Sequence, residues 1–205
     1  MIDYRLMLTL ALAACSPGAE DRTELQVEGN AAAAQSGSPQ SATLPANRPL
    51  TLKRVSAFTK LDDTSCKLVE ENKEEGPYWL RRCKGLAGWY LDWSESDLRQ
   101  GLDVIAPNGR TTELELSSRV ANGAFNHLGS TIEWRGRENA KPEAMIVRMS
   151  VASGAEPEKP DVSKLAVIRL VGTPCLVAIV EPGPGQNQKA REVADGSMST
   201  CITAQ

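Results

Sequence analysis

The chain contains one histidine, and only four Trp, three Tyr and two Phe among 205 residues. With His127 alone and no C-x-x-C pair, it lacks the ligand set that zinc requires, and no metal or other cofactor is expected. No G-x-S-x-G elbow occurs, which removes one common route to a nucleophilic serine. Charge of one sign is missing too: 23 Lys and Arg stand against 26 Asp and Glu, mixed along the chain, with no basic run beyond Arg81, Arg82 and Lys84. Nucleic acid, which needs a basic patch or stripe, is not an expected partner. No apolar run approaches the twenty or so residues of a membrane-spanning helix.

What apolar run there is comes at the start. Leu6 to Ala14 is nine mostly apolar residues, the length of a signal-peptide core and about half of a span. It ends in Leu12, Ala13, Ala14 and Cys15, which resemble the lipobox of bacterial lipoproteins. In that family the cysteine thiol carries a fatty-acyl (palmitate) anchor and the chain is cut just before it. The resemblance implies a signal peptide over 1–14 and lipidation of Cys15. Ser16, following the cysteine, implies sorting to the outer membrane, with the domain facing the periplasm. The expected membrane contact is therefore a lipid bilayer reached through the acyl chain alone.

From Cys15 to Pro49 the chain is rich in Ala, Ser, Gly, Gln and Pro and has almost nothing large to bury, so burial cannot offset the entropy of ordering. We read 15–49 as a tether, about 30 Å in root-mean-square span and roughly 110 Å when extended. About 155 residues, from 50 to 205, are left for one domain of ordinary size.

In an exported chain thiols tend to pair. Setting Cys15 aside leaves Cys66, Cys83, Cys175 and Cys201, for which three connectivities exist. Lys67–Glu71 and Tyr78–Lys84 read as strands around a charged Asn72–Pro77 turn. A hairpin symmetric about Glu74 and Glu75 sets Cys66 opposite Cys83, at a separation a disulfide can bridge. Cys175 is then left for Cys201.

Further strands are expected over Ala87–Trp93, with Trp89, Leu91 and Trp93 inward and Tyr90 and Asp92 outward, and over Leu98–Ala106. Pro107, Asn108 and Gly109 form a turn leading to a strand over Thr112–Leu116. Ser117–Ser130 reads as a loop holding His127, followed by strands over Thr131–Arg135 and Glu143–Val151, the latter with Met145, Val147, Met149 and Val151 on one face. Leu165–Val171 and Leu176–Val180 are apolar at nearly every position and are expected to be the central strands, covered on both faces. One helix, Asn187–Ala194, capped by Asn187 and stopped at Gly196, would present Ala190, Val193 and Ala194 to them. The expected fold is α+β: an antiparallel meander or partly closed, barrel-like sheet of about seven to nine strands, with one C-terminal helix and two disulfides. The stretch from Cys66 through NHLGSTIEWR to the final cysteine–strand–helix–cysteine order also resembles exported proteins of alphaproteobacteria, a resemblance that carries no activity with it.

For chemistry, Asp92, Glu95, Asp97 and Glu133 lie near aromatics and are the carboxylates to watch for a glycosidase-like pair. Tyr90 and Asp92, with the basic Arg81 and Arg82, form the candidate contact surface, since exposed aromatics stack on sugars and anchor interfaces. No catalytic residue is assigned. The expected role is a non-catalytic binding or envelope-accessory module, with peptidoglycan or an envelope protein as partner. A glycan hydrolase or an inhibitor of an exogenous enzyme such as lysozyme are the alternatives.

Cys15→Ser is expected to abolish acylation and move the protein from the membrane to the soluble fraction, as read by fractionation and mass spectrometry. Retention in the membrane would refute the lipid anchor.

Overall fold

The computed structural model describes residues 53–74, 76–154, 159–198 and 200–202, all within the compact unit Pro49–Gln205. The expected signal segment, Cys15 and the tether lie outside the described residues. Ten strands and two helices follow one another. They are β1 (Arg54–Lys60), β2 (Cys66–Asn72), β3 (Tyr78–Lys84), β4 (Tyr90–Ser96), β5 (Arg99–Ile105), β6 (Thr111–Thr112), α1 (Leu116–Ala121), β7 (Asn126–Arg137), β8 (Pro142–Val151), β9 (Val162–Arg169), β10 (Cys175–Val180) and α2 (Gln186–Asp195). The strands form one sheet in the order β10-β9-β8-β7-β5-β4-β3-β2, with β1 added on β7 and β6 on β5. The fold is thus α+β with two disulfides, but the sheet is mixed and does not close. Nine pairings were open to a pure meander; here β5 and β7 meet in parallel, at Arg99 and Asn126.

β7 is the pivot. One of its edges carries β8, while the other is shared between β5 at Asn126 and β1 from Thr131 to Arg137. The sheet therefore has two halves, β1 with β7–β10 and β2–β6, and their inward side chains meet in a single core. Leu91, Leu102 and Val104 from one half join Ile132, Trp134, Met145, Val147, Met149 and Ile168 from the other. The Met145/Val147/Met149/Val151 face expected from alternation is buried along its whole length. Trp134 is the largest of the fully buried side chains, and Gly85 is there to admit it, since a Cβ at that position would lie 2.7 Å from the indole ring.

The hairpin β2–β3 joins Cys66 to Cys83 with 4.1 Å between their Cα atoms. Its register is not uniform: Asn72 faces Tyr78, and one extra residue at the Leu68–Glu70 shift is needed before Cys66 faces Cys83. The second disulfide joins Cys175, at the start of β10, to Cys201. Beside it the Ile202 amide donates to the Leu176 carbonyl, and Arg119 of α1 donates to the Ile202 carbonyl.

Five expectations are revised by packing. The strands covered on both faces are β8 and β9, whereas β10 is a sheet edge with a register shift at its centre. Thr112–Leu116 is not a strand beyond Thr112: Glu115 adopts a left-handed conformation and starts α1, which buries Leu116, Val120 and Ala121. The Ser117–Ser130 segment thus holds most of α1, a four-residue connection and the start of β7, and His127 sits on β7. On the outer face of β8 and β9 lies α2, which buries Ala190 and Ala194 on Ala144, Ile146, Leu165 and Val167. Two alanines let the helix approach closely; Val193 points away, 37% exposed. Its N-cap is Gly185, not Asn187, and it ends at Gly196 as expected. Asp195, poorly placed for the dipole at a helix C-terminus, is held there by Arg54 and Arg135.

The β5–β7 corner has one bridging pair, so side-chain amides complete it. Buried Asn126 accepts from the Gln100 amide at 3.1 Å and donates to Ser117 Oγ and the Ala124 carbonyl, both at 3.0 Å. Gln100 in turn accepts from the Leu128 amide at 2.8 Å and donates to Glu95. Asn126→Ala leaves a buried N–H and a hydroxyl without these partners and is expected to cost about 3 kcal/mol in urea unfolding. A loss below about 1 kcal/mol would show that the corner does not depend on it.

Candidate binding surface

Alternation along β3, β4 and β5 puts Arg82, Lys84, Tyr90, Asp92, Asp103 and Ile105 on the side of the sheet away from the core. The register confirms the neighbours: Arg82 faces Asp92, Lys84 faces Tyr90, and across β4–β5 Tyr90 faces Ile105 and Asp92 faces Asp103. Arg82 donates to both carboxylate oxygens of Asp92, at 2.7 and 2.8 Å, a two-pronged pair that fixes the planes of both groups. Bonding to Asp92 holds the Arg82 guanidinium above its ordinary pKa. Asp92 is itself nearly buried, so it contributes to the surface by orienting Arg82. Arg81, expected on the same surface, is on the opposite face of β3. There it lies 5.6 Å from the Trp79 ring and pairs with Asp63.

Tyr90 stands at the end of this face, 42% exposed, in a cavity of about 290 Å³ shared with Arg82, Ile105 and Pro107. Pro107 is the top of the Pro107-Asn108-Gly109 turn read from the sequence, closed by the Gly109 amide on the Ala106 carbonyl and by the Arg110 amide on Asn108 Oδ1. On the far side of Pro107 a larger, mostly apolar cavity of about 490 Å³ is walled by Trp89, Pro142, Leu170 and the exposed Val171, with Lys141 and Glu143 at its margin. The two hollows flank one proline ridge at one end of the strands. Of the other aromatics, Trp89 is buried, and Trp93 packs against the core and meets Trp79 edge to face at 4.7 Å.

The carboxylates named from the sequence are each engaged by partners of their own. Asp92 is held by Arg82, Glu95 by Gln100, Asp97 by Arg99, and Glu133 by Arg191 and Ser56. A carboxyl pushed upward lies elsewhere, at Asp103: burial raises it first, and Glu113, Asp92 and Glu115 add to that, against the Leu114 amide that donates to it. Sequence reading passed over Asp103 because its acidic neighbours meet it only on folding, Asp92 from the adjacent strand and Glu113 and Glu115 from the far side of a turn. Tyr78 on the same face is also raised, by burial and then by Glu70, Asp92 and Asp103.

His127, at the opposite end of the strands, lies open on β7 beside exposed Phe125 and Leu98, with Nδ1 3.9 Å from Asp161 Oδ2. Its cross-strand neighbour Ser150 donates to the same Asp161 at 3.2 Å. A nucleophilic triad needs the histidine between serine and carboxylate; here the carboxylate is in the middle. Among the described residues no group of three or more His, Cys, Asp or Glu is placed to hold a metal ion, and no helix is long and apolar enough to cross a membrane. Compared with protein-family models, with curated proteins and with solved structures, the chain has no match.

Asp103 makes a pH prediction. Its folded pKa lies above its ordinary 3.8, so the folded state holds this proton more tightly, and stability falls as pH rises from 3.8 through the raised value. Asp103→Asn keeps an acceptor for the Leu114 amide and removes the charge. It is expected to raise the melting temperature by about 2 °C at neutral pH, where the carboxylate is ionised, with the gain vanishing in acid. An equal change at both pH values would contradict a titrating origin.

Proposed function

We propose that this protein is an outer-membrane lipoprotein whose periplasmic domain binds cell-wall glycan at the Tyr90–Pro107 end of its sheet and leaves it uncleaved. The lipobox at Leu12–Cys15 supports the anchor, and the composition of 15–49 supports a tether with reach. Two disulfides accord with an oxidising compartment. The observation that carries the binding reading is the exposed Tyr90 ring in a hollow shared with Pro107, beside a guanidinium held in place by Asp92. An aromatic face takes the C–H face of a sugar ring, and a fixed planar donor takes its hydroxyl or carboxylate oxygens. Asp92, Glu95, Asp97 and Glu133 are each already bonded to an arginine or an amide, which favours holding a glycan over splitting it.

The test is co-sedimentation of the Cys15→Ser chain with purified sacculi, assayed for bound protein and released fragments. Wild-type surface residues are expected to give retention without release, and Tyr90→Ala at least fivefold weaker retention with an unchanged melting temperature. Fragment release would point to a hydrolase. Absence of retention would remove the glycan reading and turn the search to a protein partner, including an exogenous enzyme.

A further inference from the structure

On the outer face of the sheet, beside α2, β7 and β8 fall out of step. Leu128 faces Met149 and Ile132 faces Val147, so three residues, Gly129 to Thr131, stand against Arg148 alone. A surplus of this kind bends the strand that carries it and re-aims side chains next to functional sites. Glycine makes the fit close at its first position: a Cβ on Gly129 would sit 3.1 Å from the Arg148 Cβ. Beside Arg148 opens a cleft of about 190 Å³. Its lining includes Ile146 and Leu165, both buried in the cluster beneath α2, and Phe58 from β1, 58% exposed.

Arg148 is positioned by neutral groups. Nη1 donates to Ser163 Oγ and Gln186 Oε1, at 2.5 and 3.1 Å, and Nη2 donates to Asn187 Oδ1 at 2.7 Å. That leaves two of the five guanidinium N–H groups without an acceptor among the described residues, and no described carboxylate pairs with it. The cleft's other arginine, Arg191, is already bound to Glu133 at 2.7 and 3.2 Å, which holds it above its ordinary pKa. Two guanidinium groups against one carboxylate leave the cleft one positive charge in excess.

We propose that this cleft binds a small aliphatic carboxylate, either a free acid or the C-terminal residue of a peptide. Arg148 takes the carboxylate with its free donors, the aliphatic group lies on Ile146 and Leu165, and Phe58 covers the open side. The volume equals about six waters at roughly 30 Å³ each, enough for a three-carbon acid and no large ligand. This site is separate from the Tyr90 surface and stands without the glycan reading.

The experiment is a titration of the full chain, followed by amide NMR, with propionate against propionamide and with N-acetyl-Ala-Ala against its C-terminal amide, at matched ionic strength. Saturable binding of propionate or of the free peptide is expected, with both amides at least tenfold weaker. Whichever of the two carboxylates binds more tightly assigns the source. Arg148→Gln is expected to weaken binding at least tenfold, and Phe58→Ala, an exposed position, about threefold. If Arg148→Gln does not fold, Arg148→Lys decides: it keeps the charge, loses the planar fork and is expected to lose tenfold. Wild-type affinity in either Arg148 variant, or saturation by neither carboxylate, overturns the proposal.

Discussion

The two halves of the sheet are joined through a pair of side-chain amides, Asn126 buried and Gln100 half-buried. β5 and β7 share one parallel bridge, too little to fix a corner, and Asn126 and Gln100 provide what a longer ladder would have provided. Each uses its amide as a piece of backbone, one accepting from Gln100 N–H and the other from Leu128 N–H. Much else follows from that substitution. Because β5 leaves β7 after one residue, the remaining edge of β7 is free for β1, and side chains from both halves close on a core that includes Trp134. A purely apolar corner would pack, but it would not set which residues face each other.

How much of this could be read from the residues varies with how local the cause is. The β2–β3 hairpin, the alternation of Met145 to Val151, the Pro107 turn and the stop of α2 at Gly196 are set within a few residues, and they were legible. α1 was not: six residues give too little periodicity, and it is framed by left-handed Glu115 and Asn122, where glycine would have marked the ends. β1 was missed because RVSAFTK is an edge strand whose residues are mostly half-buried, so neither alternation nor an apolar run announces it. β10 looked central because it is as apolar as β9; part of that face meets α2 and its loop instead of another strand. On the candidate surface, Tyr90, Asp92 and Arg82 were brought together by alternation and register. Arg81 went to the other face by the same rule, applied one residue further. Arg148 gave no signal at all, since its setting depends on a bulge in another strand and on a helix forty residues away.

α2 ties these features together. Its alanines allow close contact with β8 and β9, its first turn supplies the neutral acceptors for Arg148, and its last residue draws in Arg54 and Arg135. Arg54, Arg135 and Arg191 on this face are neutralised by carboxylates, whereas Arg148 is oriented by neutral groups. Orientation without neutralisation is what leaves a cation available to something outside the protein.

The extra residue in β2 near Val69 has a second effect beyond bringing Cys66 opposite Cys83. β2 is the open end of the sheet, exposed along almost its whole length and carrying Leu68 and Val69 outward. A straight edge of that kind is a template on which a second molecule can add its own strand, and the growth need not stop at two. The irregularity kinks the template and interrupts its even row of donors and acceptors. One inserted residue therefore serves both as an aligner for a covalent bond within the chain and as a terminator against polymerisation between chains.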